Sequence, residues 1–200
     1  MQLLTSNAYN ILWTGRYLAR IDFFCKHIPL QEDQLAQQIA AAFYLPAQNA
    51  ETLNRLVLDP EQLCSFNQLF QAVYDNVQSL RGVLSSNGYA ELNALFKQSK
   101  NNPGYICDAL NDFDQILEGE SNDLFLFFSL GKTVELLDHK VRLHEPADEL
   151  VAVMDSFMPV LHDYDWREFE RSWHDFKAQK DLQSFFSFVQ RLQQVFEITV

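Results

Sequence analysis

Two acid-base pairs stand out by type and spacing: Asp22 with Lys26 and Asp138 with Arg142, each an acid four residues ahead of a cation, with Glu135 three residues before Asp138. Two carboxylates one helical turn apart can act as an acid and a base if their surroundings separate their proton affinities. Glu135 and Asp138 are therefore the candidate catalytic residues, with Arg142 or Arg81 available to hold an anionic substrate. A wider polar set of Arg16, Asp22, Lys26, Arg81, Lys132, Glu135, Asp138 and Arg142 is the candidate network between helices. Such a network can line a pocket or lock the register of packed helices.

Most of these residues lie in a stretch that occurs twice. Trp13 to Asp22 returns as Ser129 to Asp138, with glycine, cation, aliphatic residue and aspartate in the same order. The offset is constant at 116 (131−15, 138−22 and 142−26). At ~100° per residue, Asp22 and Lys26 fall within ~60° of Gly15, and Glu135, Asp138 and Arg142 fall similarly near Gly131. Gly15 and Gly131 are expected to be helix-contact glycines across which the two motif helices pack, bringing both ion pairs inward. On the same wheel Arg20 lies ~140° from Gly15 and Glu135 ~40° from Gly131, which favours Lys26, Arg142 or Arg81 over Arg20 as the partner of the glutamate.

The elements that position these residues read as helices throughout. Apolar spacing of three and four predicts helices over about 5–27, 32–43 and 50–58. A long amphipathic helix is expected to start at Asp59-Pro60 and run to Leu84, followed by helices from Ser85 or Ser86 and from Pro103. The second motif helix starts after Ser121 and ends near Leu143. Apolar faces continue through the C-terminal third, and no linker separates a second domain. The expected fold is all-α: a single multi-helix bundle over residues 1–200 with two pseudo-repeated motif helices.

A formal charge of −12 disfavours a nucleic-acid partner or an anionic membrane surface. Met1 to Leu4 offers no basic leader, and the apolar run Leu124 to Leu130 is too short to cross a bilayer. Cys25, Cys64 and Cys107 are odd in number and far apart, and read as free thiols in a reducing, cytoplasmic setting. A homo-oligomer is compatible with the sequence.

No metal or cofactor is expected. The Glu-x-x-His spacing of di-iron bundles is absent, and the i,i+4 pairs Glu135/His139 and Glu170/His174 lack matching partners. There is no phosphate loop, no Gly-x-Ser-x-Gly and no cysteine-histidine pattern.

Leu12-Trp13-Thr14-Gly15-Arg16-Tyr17-Leu18-Ala19-Arg20 resembles the opening Leu-Gly-Arg-Tyr-x-Glu-Arg signature of the alpha-E family, bacterial helical domains named for a Glu-Arg motif. Leu130 to Asp138 resembles the second copy of the motif. Ala72 to Arg81, followed by Leu84-Ser85 and Tyr89 to Asn93, is similar to the family's middle helix and its continuation. The resemblance covers residues 4–143, leaving 144–200 as C-terminal helices of the same bundle. Each motif is half present: Ala19 stands where the first glutamate is expected and Leu136 where the second arginine is expected. The family implies a bacterial all-helical protein encoded beside an ATP-grasp-type amide ligase and a transglutaminase-like peptidase. The expected function is then a non-catalytic accessory or scaffold with one of these as protein partner. The alternative is an enzyme using Glu135 and Asp138 for amide or small-molecule acid/base chemistry.

Overall fold

A computed structural model describes residues 3–99, 102–164, 166–167 and 169–197. Met1 and Gln2, which figure in the leader expectation above, lie outside that set. Among the described residues there are ten helices and no strand: α1 (Thr5–His27), α2 (Asp33–Ala42), α3 (Ala50–Leu58), α4 (Phe66–Ser79), α5 (Ser86–Ser99), α6 (Pro103–Glu118), α7 (Asn122–Arg142), α8 (Asp148–Asp163), α9 (Glu170–Gln179) and α10 (Leu182–Glu197).

The two motif helices, α1 and α7, form the centre and pack along each other. Their contacts advance together along both helices, from Leu12 against Gly131 to Phe23 against His139, so the pair runs parallel. On other sides α1 packs against α4, while α8 and α10 pack on α7. The remaining helices join this centre in neighbouring pairs, α2 with α3, α5 with α6 and α9 with α10. A continuous core of Leu, Ile, Val and Phe side chains runs through all ten helices, from Ile11 and Ile21 to Trp173 and Phe188.

The amphipathic helix expected from Asp59-Pro60 starts later. Residues 59–65 form turns, and the Ser65 hydroxyl caps α4 by accepting from the Gln68 amide. Asp59 instead accepts from the amide of Glu61, an Asx turn that competes with helix formation. No helix among the described residues is long and apolar enough to cross a membrane.

The reading of three free thiols is corrected: Cys25 of α1 and Cys107 of α6 form a disulfide, and Cys64 alone is free. The sequence hid this because 82 residues separate the two, and only the packing of α6 on α1 brings them together. The bond also removes the argument from free thiols to a reducing compartment. Thiol titration of the denatured protein should find one reactive cysteine without reductant and three with it; three in both cases would show the bond is not formed.

Candidate functional site

The site begins with the two glycines. A Cβ built on Gly131 would lie 2.0 Å from the carbonyl oxygen of Leu12, and one on Gly15 would lie 2.3 Å from that of Phe128. Residues 12 and 128 are themselves 116 apart, so the contact is reciprocal: each glycine receives the backbone of the partner helix one turn before that helix's own glycine. Backbones this close cannot be reached past any side chain. Thr14 and Thr133, buried at this seam, bond their hydroxyls to the carbonyls of Asn10 and Ser129 and so bring no unsatisfied polar atom to it.

One turn beyond Gly131, the close approach delivers Glu135, which has no exposed surface, to α1. Its Oε2 accepts from Arg16 Nε at 3.0 Å and its Oε1 from Arg20 Nε at 2.6 Å. Arg16 is buried and stacks its guanidinium over Trp13 at 4.5 Å. His139 Nε2 lies 3.4 Å from Oε1 as an ionic neighbour, and neither it nor the buried Trp13 Nε1 has a hydrogen-bond partner among the described residues. Burial alone would push the Glu135 carboxyl up. The neighbouring His139 and the guanidiniums of Arg16 and Arg20 outweigh this and hold it well below the usual carboxylate range.

Arg20 is therefore a partner of Glu135, contrary to the expectation from the helical wheel. A wheel locates Cα atoms, whereas a long arginine side chain lays its stem along the helix and returns its head to a face its Cα does not occupy. The residues favoured instead are elsewhere. Lys26 pairs with Asp22 at 2.5 Å on the surface, with side chains 68% and 38% exposed. Arg81 is exposed and lies over Tyr89. Lys132 reaches Asp114 of α6 at 2.5 Å and the Phe128 ring.

The two repeated ion pairs also part company. Asp138 is buried and bonded at 2.7 Å to the partly buried Arg142, which is further bonded to the Ala42 carbonyl. The direction of Gly15 on the wheel points at α7 only near the crossing, so Asp22, two turns on, faces solvent. Asp138, at the matching position, is buried, and its partner Arg142 is held by the Ala42 carbonyl at the end of α2 and by the Phe186 ring of α10. Asp22→Asn should accordingly change stability by under about 0.5 kcal/mol in urea denaturation; a loss of several times that would mean the pair is not solvated. Among the described residues no group of three His, Cys, Asp or Glu could hold a metal ion, and Glu170 pairs with His162, not with His174.

The surviving halves of the two Glu-Arg motifs thus meet across the central pair: Arg20 of the first and Glu135 of the second. A family profile described as a predicted alpha-helical domain with a conserved ER motif, Alpha-E, matches residues 3–193. The chain belongs to the Alpha-E family. The Alpha-E match runs on past residue 143, where the motifs read from the sequence stop, and takes in the C-terminal helices. No curated protein and no solved structure matches the chain. In this Alpha-E protein the motif residues act between helices, and the positions equivalent to Arg20 and Glu135 by the 116-residue offset, Leu136 and Ala19, are both apolar.

Proposed function

We propose that the protein is a non-catalytic helical accessory or scaffold that acts with an ATP-grasp-type amide ligase, or with a transglutaminase-like peptidase, in peptide or amide-bond modification. Membership of the Alpha-E family supports the helical accessory role. The observation that carries the non-catalytic part is the state of Glu135: fully buried, ionised and bonded to two guanidiniums. A general acid or base must exchange a proton near the working pH, and a carboxyl held this far down is a poor proton carrier. Its bonds instead join α1 to α7, the behaviour of a residue that fixes helix register.

The test is affinity purification of the tagged protein from its native cells at natural abundance, followed by mass spectrometry. An ATP-grasp-type ligase or transglutaminase-like peptidase should co-purify, and deleting the protein should impair that enzyme's assembly or activity. If deletion leaves both unchanged, the proposed partnership is wrong.

A further inference from the structure

We propose that the pocket between the ends of α2 and α7 and the start of α10 binds a small organic carboxylate bearing an apolar group. This goes beyond the accessory role and does not rest on it. The cavity measures about 560 Å³, within the range of small-ligand sites, and its lining includes Gln38, Tyr44, Arg142, Leu143, His144 and Leu182.

Arg142 is the reason for assigning a carboxylate. Its Nε donates to Asp138 and its Nη1 to the Ala42 carbonyl, and the rings of Phe43, Tyr44 and Phe186 stand 5.0–5.7 Å from its guanidinium carbon. The group is fixed before any ligand arrives, while no acceptor among the described residues engages Nη2. The unengaged Nη2 of a fixed, cationic guanidinium is a donor suited to a carboxylate oxygen. Gln38, Tyr44 and His144 add side chains able to donate, and Leu143 and Leu182 supply apolar wall.

A second, independent observation converges on the same place. Among the described residues the non-glycine residues with positive φ are Tyr44 (54°), His144 (56°) and Lys180 (50°). Tyr44 and His144 follow the ends of α2 and α7, where bonds from Leu45 N to Ala40 O and from Glu145 N to Lys140 O, both 2.8 Å, close the caps. Such left-handed positions favour glycine because a Cβ is strained there. Here they carry side chains that line the pocket, and Lys180 lies two residues before the lining residue Leu182. Strain kept at two lining positions of one cavity is accounted for if their side chains are used.

Isothermal titration with N-acetyl-phenylalanine, N-acetyl-phenylalaninamide and inorganic phosphate tests this. The acid should bind at least about tenfold more tightly than the amide and than phosphate, and Arg142→Lys should weaken it by at least about tenfold. Arg142 is also bonded within the core, so Tyr44→Gly and His144→Gly provide the variants that keep the fold. Both should retain or raise the melting temperature, because glycine suits the backbone, yet each should weaken binding of the acid. No measurable heat with the acid, equal binding of acid and amide, tighter binding of phosphate, or unchanged affinity in both glycine variants would each overturn the proposal.

Discussion

Gly131→Ala is expected to lower the free energy of unfolding by about 4 kcal/mol or more, read as a shift of the urea midpoint. In an exposed helix the same change is stabilising by roughly 1 kcal/mol, because alanine forms helix more readily than glycine. The sign reverses here because the new methyl would meet the Leu12 carbonyl oxygen at 2.0 Å and the Leu12 carbonyl carbon at 2.8 Å. Both are backbone atoms, and they can yield only if the two central helices move apart. Gly15→Ala, with 2.3 Å to the Phe128 oxygen, should behave alike, and Gly82→Ala, with nothing within 4 Å, is the control and should stay within about 0.5 kcal/mol of the parent. A neutral Gly131→Ala would mean that the helices do not touch at this point in solution.

Glu135→Gln should cost about 3–5 kcal/mol, since it leaves the guanidinium of Arg16 buried without its counter-charge and that of Arg20 without its partner. The pH dependence follows from the same bonds. In the unfolded chain the carboxyl titrates near ~4.3; in the fold it is held well below that. Its contribution is complete above the unfolded value and is lost as pH falls from there towards the folded one. The stability difference between parent and Glu135→Gln should therefore be flat near neutrality and shrink below about pH 4.3. A difference that is independent of pH down to acid unfolding would contradict an ionised Glu135.

What could be read from the chain was whatever depends on periodicity. The all-α character follows from apolar spacing, and the two glycines signalled the central pair because glycine at a buried helical position has few other uses. The start of α4 was missed because Asp59-Pro60 is a good cap signal in isolation, and only its Asx turn with Glu61 diverts the chain. The partner of Glu135 was missed because the reach of an arginine side chain is not on the wheel. The fates of Asp22 and Asp138 depend on what lies beyond the crossing, where α2 and α10 hold the partner of one and solvent meets the other. Nothing local to either aspartate encodes that. The Cys25–Cys107 bond belongs to the same class, since the chain between two positions 82 apart in sequence must fold before the two sulfurs meet.

The reciprocal glycine contact has a consequence for how the two central helices choose each other. Its geometry is that of a symmetric dimer seam, with residues 12 and 15 of one helix meeting 131 and 128 of the other, drawn within one chain. Beside it, Arg16 and Arg20 face Glu135 on one flank, while on the other their counterparts are Lys132, Leu136 and Ala19, with no carboxylate between them. Two copies of α1 brought together at the same seam would set Arg20 against Ala19 twice, with no carboxylate for either arginine. Two copies of α7 would set Glu135 against Leu136 and Lys132 twice, one lysine for each carboxylate in place of the two arginines it meets here. Only one helix of each kind gives Glu135 both arginines, so the side chains favour this backbone contact within one molecule over the same contact between two copies.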